Sequence, residues 1–316
     1  MPPPTPEPTP APELLATRPD DATVIRQGPL VLKTHAPDSD PTALATRIAV
    51  AAHPLLTGIL LPPLPIPAAA TPAHPDRSLS AWPYGTPVDP EDPDAAPWEE
   101  TATLLARLHR TPPEALPAPL PPMRGPAKAA RALARMHATA PHPAAPDAHR
   151  TVLAAWHGLP AWARDERDEP DEPDQDHVRP TAALCHGDLH LGQLVRHPAP
   201  SGPWHLIDVD DLGLGDPAWD LARPAAWYAA GLLDPDVWQR FLTAYRAADG
   251  PAVRPHGDPW PELDVAARAL TVQTAALALA KSTTEARPLD EVEHLMIDSC
   301  ARIASLRPEL DGSPPP

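Results

Sequence analysis

Residues 184–222 read LCHGDLHLGQLVRHPAPSGPWHLIDVDDLGLGDPAWDLA, and this stretch decides the fold. Two short strand patterns lie inside it, Gln193-Leu194-Val195-Arg196-His197 and Trp204-His205-Leu206-Ile207-Asp208. The turn-rich PAPSGP at 198–203 joins them as an antiparallel hairpin. The start of the first strand then lies beside the end of the second, so Gln193 and Asp208 meet at a cross-strand spacing of ~5 Å. Asp188 sits just before that end on a Gly-flanked loop. The hairpin therefore gathers two carboxylates and an amide oxygen. All are hard donors of the kind Mg2+ takes beside substrate phosphates.

Working outward, the pattern upstream is β and downstream is helical. Thr23–Gln27, Gly28-Pro29 and Leu30–Thr34 read as strand, tight turn and strand. Residues 41–53 are helical in pattern, and Ser78–Tyr84 is a further short strand. Helices are expected over 94–110, 126–140 and 147–164, the first opened by Glu99 and Glu100 in an acidic first turn. Pro224 is expected to interrupt a helix begun at Pro217. Val237, Trp238, Phe241, Leu242 and Tyr245 share one helical face, and Val292, Leu295, Met296, Cys300, Ile303 and Leu306 another. The expected organisation is a Pro-rich disordered tail (1–11), a small mainly β lobe (12–86) and a larger helical lobe (87–316). The fold class is α+β.

Composition removes several classes. The 316 residues carry Lys+Arg 25 against Asp+Glu 42, a net charge of −17, which disfavours nucleic acid and anionic membrane as partners. Eight acids in DERDEPDEPDQD (165–176) belong to a solvated acidic loop, taken as 165–180. The two cysteines, Cys185 and Cys300, allow neither a disulfide framework nor a Cys-type zinc site. The N-terminus lacks a basic region and an apolar run, no stretch of about 18 apolar residues is seen, and a cytoplasmic location is the expectation.

Three ordered motifs stand within 184–222: His186-Gly187-Asp188-Leu189-His190-Leu191-Gly192-Gln193, then Ile207-Asp208-Val209-Asp210-Asp211, then Gly215-Asp216-Pro217-Ala218-Trp219-Asp220-Leu221-Ala222. They resemble the aminoglycoside phosphotransferase and choline kinase group of the protein-kinase-like fold. The resemblance implies an ATP- and Mg2+-dependent transfer of the γ-phosphoryl to a hydroxyl of an aminoglycoside-like, sugar or amino-alcohol acceptor. It makes Asp188 catalytic, with His190 steadying the loop, and makes Gln193 and Asp208 metal ligands. Gln193 stands where the family has Asn, as in a subgroup that looks like sugar kinases. Lys33, one of only three lysines, matches the strand lysine that pairs with nucleotide phosphates. SLSAWPYG (78–85) matches the inter-lobe hinge, where Tyr84 or Gly85 offers a backbone N–H to the adenine, Pro83 having none.

The chain departs from that pattern in two places. TRPDDA (17–22) stands where a Gly-rich phosphate loop belongs, and 38–55 holds no Glu to pair with Lys33. Asp216 is read as a helix cap before Pro217, the resemblance implies that Asp220 braces the loop, and Asp210 and Asp211 are either solvated or metal-bound. The acidic balance leans toward a cationic acceptor. Two competing readings are a kinase-like binding protein without turnover, and a metal hydrolase built on His186-x-Asp188-x-His190.

Overall fold

A computed structural model of the chain describes residues 11–17, 22–68, 70, 76–92, 95–166 and 182–306. Of the expected tail only residue 11 is described, and of the acidic loop 165–180 only 165 and 166. Asp20 and Asp21 also lie outside the described residues.

The N-terminal sheet is antiparallel, in the order β1 (Glu13–Thr17), β2 (Thr23–Gln27), β3 (Leu30–Thr34) and β4 (Leu79–Pro83). Gln27 pairs with Leu30, leaving Gly28-Pro29 as a two-residue turn, with Gly28 at φ 59°. Gly takes that left-handed value without a Cβ clash, and Pro fixes the next φ. In this register Val24 faces Lys33, and Lys33 faces Ser80.

Helix α1 (Pro41–Ala51) starts at Asp40, whose carboxylate accepts the N–H groups of Thr42 and Ala43. The chain then runs along the second sheet: Leu61 N–H donates to Leu206 O and Leu206 N–H to Ile59 O, both at 2.9 Å. After β4 it moves within three residues to β5 (Thr86–Pro87). That strand pairs with β7 (Leu194–Arg196), and β7 with β8 (Trp204–Leu206). The expected hairpin is thus present, with Val195 opposite His205. A two-stranded unit, β6 (Ala183–Cys185) with β9 (Gly213–Gly215), brackets it in sequence.

Helices make the rest: α2 (Trp98–His109), α3 (Gly125–His137), α4 (Ala148–His157), α5 (Ala218–Ala229), α6 (Pro235–Ala247), α7 (Trp260–Thr284) and α8 (Glu291–Ser305). The expected helix 147–164 ends at His157, because Pro160 intervenes and only a 3₁₀ turn follows at Ala161–Arg164. Pro224 does not interrupt α5. The hydrogen bond it omits is the one to the Asp220 carbonyl, in the first turn, and the ring is buried. The expected face of α8 is narrower than the sequence suggests. Met296, Ile297 and Cys300 are core, whereas Val292 and Leu306, at the helix ends, are exposed.

Helix α7 corrects the reading of apolar runs. It is long and apolar enough to cross a membrane by length and composition, yet 72% of its most apolar window is buried inside the protein. Its many alanines let α3, α4, α5 and α8 pack against it, so its apolarity marks the axis of the helical core. The architecture is α+β, a small β sheet followed by a helical part.

Candidate active site

The loop after β6 is fixed from below. His186 Nε2 lies 2.7 Å from Ile207 O, an acceptor only, so this nitrogen carries the proton. Its Nδ1 then accepts the Asp188 N–H at 3.4 Å. Asp220, fully buried on the first turn of α5, accepts the N–H groups of His186 (2.6 Å) and Gly187 (2.8 Å). It also accepts His109 Nε2–H at 2.9 Å. His109 Nδ1 in turn takes the Tyr245 hydroxyl at 2.7 Å, and that oxygen accepts the Ala252 N–H at 3.0 Å. Burial alone would raise the Asp220 carboxyl, but His109, His186 and the Gly187 N–H outweigh it and hold it below the usual range. Gly187 sits at φ 83°, and a Cβ there would meet Asp211 O at 2.3 Å. The loop therefore presses backbone to backbone on the Asp208–Asp211 segment.

The hairpin brings Gln193 and Asp208 together as expected: Ile207 N–H donates to Gln193 O at 2.9 Å, and Gln193 Nε2 lies 3.4 Å from Asp208 Oδ2. Asp208 has φ 65°, an uncommon value for a residue with a Cβ. Lys33 reaches it from β3, Nζ to Oδ1 at 2.6 Å, and also lies 3.0 Å from Asp210 Oδ2. Burial would lower the Lys33 ammonium, but the two aspartates outweigh it and push it well up. Burial likewise opposes ionisation of Asp208, and Lys33 reverses that and holds its carboxyl far below the usual range. Asp210 Oδ1 approaches His35 Nδ1 at 3.0 Å without hydrogen-bond alignment, while His35 Nε2 is 2.7 Å from Ser80 Oγ. The missing helix Glu is explained. Asp210 partners Lys33, and α1 instead sends the buried Arg47 to the carbonyl of Leu212, Nε to O at 2.7 Å.

Asp188 is flanked by cations. Lys128, on the first turn of α3, places Nζ 2.6 Å from Oδ2. Arg223, on α5, lies 3.5 Å from Oδ1 and donates Nε–H to Leu189 O at 2.9 Å. Burial would raise Asp188, but Lys128 first and then Arg223 hold it below its ordinary value. Lys128 also bonds Asp211 Oδ2 at 2.8 Å, and Arg124 approaches Asp211 at 3.5 Å. Asp210 and Asp211 are thus ion-paired rather than solvated. A small pocket beside Asp188 is lined by Gly125, Gly187, Trp219, Arg223, Leu270 and Gln273.

The remaining expected residues divide. His190 bonds within its own loop, its Nδ1 accepting the Gly192 N–H at 3.1 Å. Burial, seconded by Arg223, His186 and Lys128 against the pull of Asp188, lowers its pKa to about 4, so the imidazole is neutral near pH 7. An unfolded imidazole takes a proton near 6.5 and the folded one only near 4. Between those values the unfolded chain binds more protons, so stability is unaffected above pH 6.5 and falls as pH drops toward 4. His190→Asn is expected to flatten part of that fall, read as urea midpoints at pH 7.5 and 4.5. Tyr84 is a correction: its N–H already donates to Pro29 O at 2.7 Å, so of the two expected hinge donors only Gly85 is left. Asp216 caps α5, accepting the Ala218 N–H at 2.9 Å.

The His186-x-Asp188-x-His190 metal reading fails on His186, whose two nitrogens are both engaged with backbone. A second cluster, His109, Cys185 and Asp220, has its ligand atoms within 4.8 Å of one another. It is no better, because both His109 nitrogens are bonded and burial, with Asp220 and Asp216, pushes the Cys185 thiol up and keeps it protonated. Sequence reasoning missed Lys128, Arg223 and the His109–Tyr245 chain. The available signals were the scarcity of lysine and the three-residue offset that puts Arg223 beside Asp220 on α5.

Known structures share this architecture. A choline/ethanolamine kinase family protein from Mesorhizobium loti superposes with a TM-score of 0.59 at 16% identity, covering 95% of this chain and 90% of that one. The choline kinase LicA from Streptococcus pneumoniae gives 0.57 at 12%, covering 94% and 93%. A thermostable mutant of aminoglycoside phosphotransferase APH(4)-Ia, in a ternary complex with AMP-PNP and hygromycin B, gives 0.53 at 15%, covering 92% and 91%. At such identities the likeness establishes the protein-kinase-like fold. A search of curated proteins finds no match. The model of the phosphotransferase enzyme family matches residues 20–260, a span that runs from the first hairpin through the Asp188 loop and the Asp208–Asp211 segment to the start of α7. With that match over most of its length, the chain belongs to the phosphotransferase enzyme family.

Proposed function

We propose that this phosphotransferase transfers the γ-phosphoryl of ATP to a hydroxyl of a small, uncharged acceptor. The observation that carries the reading is the Lys33–Asp208 pair at 2.6 Å. It joins a strand of the N-terminal sheet to the end of the β7–β8 hairpin, within reach of Gln193 and on the segment that packs against Gly187, next to Asp188. The donor set suits Mg2+: a carboxylate kept ionised by Lys33 and an amide whose oxygen comes forward if the group is turned over. Asp208 and Gln193 would hold the ion, which supplies charge neutralisation to the nucleotide phosphates. Lys33 binds the phosphates, and the hinge around Gly85 takes the base. In this reading residues 12–86 form the nucleotide lobe and 87–316 the catalytic and acceptor lobe.

Asp188 accepts the proton of the acceptor hydroxyl. The cations on it keep it ionised, so it orients the nucleophile more than it pulls the proton early, as suits a loose phosphoryl-transfer transition state. His190, neutral and bonded to its own loop, positions that loop. The acceptor follows from charge. The net −17 of the chain suggests a cation, but Lys128, Arg223 and Arg124 outnumber Asp188 and Asp211 around the reacting carboxylate. A cationic acceptor would meet like charge there. Trp219 and the Gln273 amide, 6% exposed, suit hydroxyl groups instead. ADP release from Mg2+·ATP tests this with neutral sugars against choline and an aminoglycoside. The expected result is stimulation by a neutral polyol. Stimulation only by the cations would overturn the acceptor assignment.

A further inference from the structure

We propose that Lys128 is a catalytic residue of this site, its ammonium bonding the γ-phosphoryl oxygens during transfer. The inference rests on the phosphotransfer reading above. Lys128 comes from α3, outside all three motifs of the 184–222 stretch, and its Nζ is 2.6 Å from Asp188 and 2.8 Å from Asp211. An ammonium has three N–H donors. Two are matched by these carboxylates, and among the described residues the third has no acceptor. The side chain is 23% exposed and lies beside Asp188, so this donor is free to meet a ligand that reaches that carboxylate. Burial would lower its pKa, but Asp211 and Asp188 outweigh that and keep it protonated.

The site needs such a cation. Residues 17–22, where β1 leads to β2, contain no glycine, so the sequence has no Gly-rich phosphate loop there. Lys33 sits between Asp208 and Asp210, at the hairpin end of the site. On the Asp188 side, where the phosphoryl group arrives, Lys128 is the cation nearest the carboxylate, at 2.6 Å against 3.5 Å for Arg223. In the step, the acceptor oxygen forms its bond to phosphorus while the bond to the β,γ-bridging oxygen breaks. The electron pair leaves on ADP, and the acceptor proton passes to Asp188 Oδ1. Lys128 keeps its own proton, holds Oδ2 and meets the negative charge on the transferring group. Fixed donors aimed at developing charge are typically worth about 10²–10³-fold in turnover.

The chain's three lysines, Lys33, Lys128 and Lys281, make a direct test available. An acyl-phosphate derivative of ATP acylates amines beside the γ-phosphate, and peptide mass spectrometry reads which. With Mg2+, Lys33 and Lys128 are expected to be labelled, both protected by excess ATP, with Lys281 left unprotected by it. Labelling of Lys33 alone overturns the role of Lys128 and leaves the nucleotide reading standing. Protection of neither lysine overturns both. In kinetics, Lys128→Met is expected to lower kcat by about 10²-fold with the ATP KM little changed, and Lys128→Arg to recover part of it. An unchanged kcat, or a loss confined to KM, contradicts the proposal.

Discussion

Asp188→Asn is expected to lower turnover by about 10²–10⁴-fold, the range for loss of a positioned proton acceptor. The substitution keeps an oxygen for Lys128 at 2.6 Å but can no longer take the hydroxyl proton. Lys33, Asp208 and Gln193 are untouched, so nucleotide binding should survive. ADP release with an active acceptor, beside the ATP-induced shift in melting temperature, separates the two. A variant that turns over within about threefold of the parent, far less than a general base contributes, removes Asp188 from the chemistry.

Asp220→Ala should have the largest effect on folding. The carboxylate is fully buried and accepts three hydrogen bonds, from His186 N–H, Gly187 N–H and His109. Its removal strands three buried donors, each costing about 1–3 kcal/mol, and leaves the His109–Tyr245 chain without its acceptor. A loss of about 3–5 kcal/mol is expected. At this chain length that is roughly 5–8 °C in Tm. Because the two N–H groups belong to the Asp188 loop, activity should fall even below the melting range. A drop of under about 1 kcal/mol would mean that the loop is held by other contacts.

The residues that carry the fold were legible because they work locally. The hairpin follows from period-2 patterns either side of PAPSGP, and pairing then forces Gln193 beside Asp208. The need for Gly187, where a Cβ would meet Asp211 O at 2.3 Å, is visible only in the structure. Lys33, scarce and at the end of an apolar strand, was legible because it matches the strand lysine of the family the motifs resemble. Its partners could not be found that way, since Asp208 and Asp210 lie more than 170 residues away. The same limit hid Lys128 and Arg223: their roles depend on how α3 and α5 pack on the Asp188 loop, which no local pattern encodes. Tyr84 failed for a related reason. Its N–H goes to Pro29, in a turn brought there by the sheet. The net charge of −17 averages over the chain and does not reveal that the Asp188 carboxylate is flanked by Lys128 and Arg223.

The most direct measurement is the melting temperature with and without Mg2+·ATP, in the parent protein and in Asp208→Asn. Saturation at about 100 times Kd should add ~2.7 kcal/mol, several degrees at this size. The account predicts a shift in the parent that requires Mg2+ and disappears in the variant. No shift in the parent, or an equal shift in both proteins, would contradict the assignment of Asp208 and Lys33 as the centre of a metal–nucleotide site.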